Sequence, residues 1–212
     1  MAAPASAAKQ QLVGTFLIDP GKSVAKGGGI DVTGSYFRMI YPNGSPTKGP
    51  FFLNTDSRSL DQSYTLFVPG IDKGLRTGVY QPQPNPSFAA NGFALANRIV
   101  QPLPFAGINF SLSTGPVDLQ GGQKVGPPTL TANGHKLTGD LRGFTASWNK
   151  IYFNQGSPKP EGKLVGSTRA LTGSYDPKSK RYSISWISQI VGGPFNDFAG
   201  FWHFEGKFKP RG

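Results

Sequence analysis

Hydrophobic and polar residues alternate most regularly near the end of the chain. Tyr182, Ile184 and Trp186 alternate with serines, and a period of two residues is typical of a β-strand that buries one face. A polar, proline-containing turn at 176–180 precedes this strand. Residues 171–190 are therefore predicted to form a β-hairpin.

A second alternating segment begins at Gly200, after a break at Gly192-Gly193-Pro194. Trp202, Phe204 and Phe208 share one face of this segment, and the opposite face carries Phe201, His203, Glu205 and Lys207. Each aromatic side chain buries roughly 150–250 Å². We therefore predict a three-stranded antiparallel meander with Trp186 and Trp202 in the core.

Shorter apolar runs bounded by glycine and proline turns predict further strands, at residues 12–18, 30–41, 64–68, 106–113, 136–141 and 143–153. Between them, 22–29 is predicted as a polar loop, 71–86 as an exposed extended segment and 91–98 as a short helix. The pattern as a whole predicts a single all-β domain over residues 12–210, with about nine to eleven strands. Two-residue alternation fits an antiparallel β-barrel and a β-sandwich equally well, with long Gly/Pro-rich loops in either case.

Composition supports an ordered, turn-rich protein. The 212 residues include 29 glycines and 19 prolines, and 12% of them are aromatic. There is no cysteine, so disulfides and thiolate sites are excluded, and no apolar run is long enough to span a membrane. Residues 1–11 are predicted to be a tail left after removal of a signal peptide, because their small residues are typical of a cleavage region. We therefore expect a secreted or cell-envelope protein.

The chain is strongly basic, with 22 Lys and Arg residues against 11 Asp and Glu residues and a net charge of +11. Such an excess favours contact with polyanions. The basic residues are scattered singly along the sequence, whereas nucleic-acid modules concentrate them in a stripe or a known motif. An anionic surface polymer is therefore expected as a partner more than a nucleic acid.

Few residues could carry catalysis. His203 and Glu205 would project from the same face of the last strand about 7 Å apart, close enough for a carboxylate to orient an imidazole. Asp140 is the other candidate, as the partner of Glu205 in a pair of carboxylates. No metal site or cofactor-binding motif is predicted.

Aromatic residues next to predicted loops form a second candidate site, because sugars and flat apolar molecules stack on such rings. These residues are Phe51, Phe52, Tyr80, Phe88, Phe195 and Phe198. The alternative interpretation is that they fill the ends of the barrel as part of the core.

Three hypotheses for function remain open at this point. The first is an exported, non-enzymatic protein that binds a hydrophobic or sugar ligand or an anionic polymer through aromatic and basic loops. The second is a structural subunit of the cell surface that assembles with copies of itself. The third is a hydrolase of an extracellular or cell-wall polymer. The scarcity of histidines and acidic residues favours binding over catalysis.

Overall fold

A computed structural model describes residues 9–212, and most of the predicted N-terminal tail lies outside the described residues. The described chain is all-β, as predicted, and no helix in it is long and apolar enough to cross a membrane. Its strands are β1 (Gln10–Gln11), β2 (Gly14–Ile18), β3 (Lys22–Lys26), β4 (Gly29–Thr33), β5 (Tyr36–Ser45), β6 (Gly49–Phe51), β7 (Thr65–Leu66), β8 (Gly74–Arg76), β9 (Leu103–Phe105), β10 (Ile108–Thr114), β11 (Thr129–Asn133), β12 (Lys136–Asp140), β13 (Phe144–Trp148), β14 (Ile151–Asn154), β15 (Arg169–Tyr175), β16 (Arg181–Gln189) and β17 (Ala199–Pro210).

Eleven strands form one large curled antiparallel sheet. Its main order is β1-β11-β12-β15-β16-β17-β2-β8, and β5, with β6 and β7 beside it, also pairs with β17. The strand β17 is 12 residues long and pairs with both β5 and β2. Its first half pairs with β5 and its second half with β2. The sheet therefore curls into a half-barrel around the last strand of the chain.

A smaller four-stranded sheet, in the order β14-β13-β10-β9, packs on the side of the large sheet that carries Trp186 and Trp202. Phe144 on β13 meets the tryptophans of the large sheet edge-on, with ring centroids 5.2 Å from Trp186 and 5.4 Å from Trp202. We call the side of the large sheet that faces the small sheet the inner face and the opposite side the outer face.

The predicted meander is confirmed, since β15, β16 and β17 are successive antiparallel neighbours. Trp186 lies opposite Trp202 on the inner face, and the two residues are 2% and 1% exposed. Both indole N–H groups donate to Gln155, one to its backbone oxygen at 2.8 Å and one to its Oε1 at 3.1 Å. One residue therefore supplies the partner that each buried indole needs.

Residues 143–153 were predicted as one strand, and this prediction is wrong. The chain reverses at Asn149 and Lys150, and forms the hairpin of β13 and β14. The φ angles of these two residues are +48° and +62°, as a two-residue hairpin turn with the strand twist requires.

Three other local predictions also fail. The predicted polar loop at 22–29 contains β3, which pairs with β4 in a separate two-stranded ribbon. Residues 91–98 contain no helix, and Phe88 pairs with Ala94 in an isolated bridge. The segment 71–86 is partly buried, because β8 pairs with β2. In each case tertiary pairing outweighs a weak local pattern.

The predicted strand 30–41 is interrupted at Gly34, where the chain bends between β4 and β5. Its φ angle is +78°, and a Cβ atom there would lie 2.1 Å from the backbone oxygen of Pro20. Glycine is thus required both by the left-handed backbone and by the close approach. The bend also directs the Gly34 N–H toward Glu205 Oε1, at 2.7 Å, on the outer face of β17.

Candidate functional site

His203 and Glu205 lie side by side on the outer face of β17, in agreement with the alternation. The His203 Nε2 atom is 3.4 Å from Glu205 Oε2, and its Nδ1 atom is 2.8 Å from the hydroxyl oxygen of Ser185 on β16. The ring of Tyr36 stacks on the imidazole, with centroids 4.8 Å apart. The His203 side chain is consequently only 16% exposed.

This serine, histidine and glutamate share the connectivity of a proton relay, and acyl transfer would also need oxyanion donors beside the serine hydroxyl. Ser185 lies in the middle of β16, opposite His203 on one side and Thr172 on the other. The backbone N–H groups around its hydroxyl are therefore committed to the sheet. Burial lowers the pKa of His203, although its bond to Glu205 acts in the opposite direction. The imidazole is thus neutral at neutral pH. Its hydrogen bond with Ser185 links β17 to β16.

Asp140 does not join this group. It pairs with Arg142 two residues away, with Arg142 Nη2 and Asp140 Oδ2 2.7 Å apart. In the large sheet, β15 and β16 separate its strand β12 from β17, and three strand spacings place the two strands about 14 Å apart. Asp140 and Glu205 therefore do not form a carboxylate pair across a cleft.

Three of the six aromatic candidates come together. Phe195 lies 5.4 Å from Phe52 and 5.9 Å from Phe198, measured between ring centroids. The Phe198 ring is 4.8 Å from the ring of Tyr41, which was not among the residues predicted from the sequence. We call Tyr41, Phe52, Phe195 and Phe198 the aromatic ridge.

The other three aromatic candidates lie elsewhere. The Phe51 ring covers the guanidinium of Arg38, whose Cζ atom is 3.2 Å from the ring centroid. The Tyr80 hydroxyl donates to the backbone oxygen of Val125 at 2.9 Å. Phe88 packs against Tyr152. These three residues have structural contacts and share no common site.

The aromatic ridge borders an apolar recess on the inner side of the large sheet. Seven of the eleven residues that line the recess are aromatic, among them Phe195, Trp148 and Trp202. The remaining ones are apolar except for Gln155. The space open to a water-sized molecule is about 40 Å³, which is well below the roughly 300 Å³ of an ordinary ligand pocket.

On its other side the ridge borders a groove that opens on the outer face, with a volume of about 720 Å³. Its floor is made of Ile40, Ile187 and Ala199, from three adjacent strands. Residues 41–46 form one wall and residues 166–169 another. The groove is therefore as large as typical ligand pockets, which have volumes of roughly 300–1,000 Å³.

Both apolar and polar groups line the groove. Tyr41 is 40% exposed and offers a ring for stacking. Gln189 accepts hydrogen bonds from Ser167 and donates to Asp197 Oδ1 at 3.4 Å. Asp197 also accepts a bond from Asn196 at 2.9 Å. The amide and the carboxylate are thus held in place by their neighbours.

Arg169 is the cation of the groove. Its Nη1 donates to the backbone oxygens of Gly166 and Thr168, at 3.0 and 2.8 Å. No carboxylate within residues 9–212 forms a salt bridge with it. The loop therefore fixes the position of this exposed guanidinium without neutralising its charge. Sequence reasoning missed Arg169, since nothing in its local pattern distinguishes it from the other scattered basic residues.

Lys159 is a buried charged residue that the sequence pattern also did not reveal. It is 6% exposed, and its Nζ donates to the backbone oxygens of Asn154 and Gln189 and to the Ser188 hydroxyl, at 2.6–2.8 Å. Burial lowers the pKa of Lys159 to about 8, although Asp118 and Glu161 act to raise it. With all three N–H donors used, the lysine fastens its loop to β16.

Over residues 9–212, no group of three or more His, Asp or Glu side chains could hold a metal ion. The architecture defines the protein as a half-barrel that wraps a small sheet, with a mixed polar and aromatic groove on its outer face. No family model, no curated protein and no solved structure matches the chain.

Proposed function

We propose that the protein is a non-enzymatic binding protein that holds an anionic polysaccharide in the outer groove. The observation that carries this proposal is the uncompensated guanidinium of Arg169, fixed by backbone carbonyls inside a groove of about 720 Å³ that also exposes the Tyr41 ring. A sugar unit with a carboxylate presents a flat apolar face and a charged group, which match these two elements.

Global charge supports the same class of partner. The net charge of +11 attracts a polyanion over distances of about one Debye length, roughly 8–10 Å in physiological salt. Asp197 in the groove favours an uncharged hydroxyl-bearing unit next to the acidic one, since a carboxylate accepts hydrogen bonds from hydroxyls. Secretion or attachment to the cell envelope, expected from the N-terminal composition, would bring the protein to such polymers.

Titration calorimetry with an oligogalacturonate tests the proposal, with a maltooligosaccharide of equal length as the neutral control. The wild-type protein is expected to bind the acidic oligomer and to bind the neutral one at least tenfold more weakly. Arg169→Gln should weaken binding of the acidic oligomer about tenfold or more, because hydrogen bonds between charged groups contribute about 1.5–3 kcal/mol. Tyr41→Ala should weaken the binding of both oligomers by removing the stacking ring.

Arg58→Gln is the matched control, because Arg58 is exposed and does not line the groove. The two arginine variants have the same net charge, so general adsorption would respond equally to both. Equal losses of affinity in Arg58→Gln and Arg169→Gln would overturn the proposal, as would binding that disappears completely in about half-molar salt.

A further inference from the structure

The apolar recess beneath the aromatic ridge is chemically distinct from the groove. Most of the side chains around it are rings, and the thioether of Met39 lies among them. A small void among rings loses dispersion contacts on every side. An apolar ring placed there would regain them.

Gln155 is the one polar residue that lines the recess, and both ends of its side-chain amide already have hydrogen-bond partners. The Gln155 Nε2 donates to the backbone oxygen of Asn154 at 3.0 Å, and its Oε1 accepts from the Trp202 indole at 3.1 Å. A charged or strongly polar ligand would therefore lose its hydration without gaining a partner. The recess selects uncharged, apolar molecules.

Phe195 is the half-buried residue of the aromatic ridge that lines this recess. It lies on the turn Gly193–Phe195, and the residues on both sides of it are exposed. Gly192 and Gly193 have φ angles of +75° and +65°. The tip is closed mainly by local bonds, such as that from the Gly192 N–H to Asn196 Oδ1 at 2.7 Å. Its movement would leave the sheet ladders intact.

The contacts of Phe195 indicate what could replace its ring. Its centroid lies 5.4–5.9 Å from the rings of Phe52, Phe105, Trp148 and Phe198. The free space of about 40 Å³ is too small for an aromatic molecule while Phe195 stays in place. If the Phe195 ring moves out, an incoming ring gains the same neighbours and the free space as well.

We propose that the recess is a second binding site, which takes a neutral aromatic molecule of one or two rings when the Phe195 side chain swings outward. The site does not depend on the polysaccharide groove, because the two cavities share no lining residue. It can be tested without knowledge of any natural ligand.

Methionine-methyl NMR with indole as the probe tests this proposal. The protein has two methionines, Met1 and Met39, and the second lines the recess. Indole should shift the Met39 methyl signal in a saturable manner and leave the Met1 signal unchanged. Indole-3-acetate, its charged analogue, should produce no shift at the same concentration.

Three variants sharpen the test. Phe195→Ala removes one of the lining rings and should bind indole about tenfold more tightly. Phe88→Ala, which removes a ring that does not line the recess, should bind like the wild type. Ala146→Leu fills the recess and should abolish the shift while its Met39 signal still reports a folded protein. The proposal is overturned if indole leaves Met39 unshifted in both the wild type and Phe195→Ala. It is equally overturned if Phe195→Ala binds no more tightly than the wild type.

Discussion

The two faces of β16 and β17 share one backbone but have different surroundings. On the inner face, Trp186 and Trp202 are buried under the small sheet and satisfied by Gln155. On the outer face, Ser185 and His203 are partly covered and Ile187 lies at the floor of an open groove. Period-two alternation thus separates the buried core from the groove that we propose as the binding site. A change on one face should leave the property of the other unchanged.

The largest expected effect is the loss of stability when a buried tryptophan on the inner face is truncated. Trp202→Ala should lower the free energy of unfolding by about 3–5 kcal/mol, the usual cost of truncating a buried aromatic residue. That loss is a large part of the roughly 5–15 kcal/mol that stabilises a typical domain. Denaturant unfolding followed by circular dichroism measures it. A loss below about 1 kcal/mol would contradict the assignment of this residue to the core.

A second prediction concerns Lys159, the buried lysine that donates hydrogen bonds to β16. The pKa of Lys159 is lowered from 10.5 to about 8, so above about pH 8 the unfolded chain binds more protons at this residue than the folded chain. Stability from this residue should therefore rise with pH, by about 2 kcal/mol between about pH 7.5 and about pH 10.

Lys159→Met is the matched variant, because it has a similar length and cannot titrate. Denaturant unfolding of both proteins at the two pH values isolates the lysine, since all other groups cancel in the difference. The variant should lack the rise. Parallel pH profiles for the two proteins would show that Lys159 titrates normally in the folded state.

The smallest effect is expected on the outer face. Ser185→Ala removes the hydrogen bond to His203 and should cost about 1 kcal/mol or less, with oligogalacturonate binding unchanged. A fluorophosphonate probe should leave Ser185 unmodified, because Ser185 lies within a strand that is paired on both sides. Labelling of the wild-type protein that disappears in Ser185→Ala would instead support the hydrolase hypothesis.

The sequence predicted the inner face well because alternation is a local signal. Tyr182, Ile184 and Trp186 follow one another on one strand, and the hairpin turn before them has ordinary turn chemistry. The hairpin at Asn149 and Lys150 was missed because lysine, unlike glycine, gives no signal of a positive φ angle.

The candidate site was only partly predictable. The pairing of His203 with Glu205 follows from two-residue spacing, but the contact with Ser185 depends on the register between β16 and β17. Tyr41 and Arg169 are 128 positions apart in the chain and meet through the curl of the sheet and the loop before β15. No local pattern carries that information, and the burial of Lys159 is equally invisible without the fold.

Isoleucine-methyl NMR during titration with oligogalacturonate tests the central claim most directly. Ile187 and Ile184 lie three residues apart on β16, one at the floor of the groove and the other fully buried on the inner face. The account predicts that the Ile187 methyl signals shift in a saturable manner and that those of Ile184 stay in place. In Arg169→Gln the midpoint of the Ile187 shift should move to an oligomer concentration about tenfold higher or more. Unchanged Ile187 signals at saturating oligomer, or equal shifts of the two isoleucines, would contradict it.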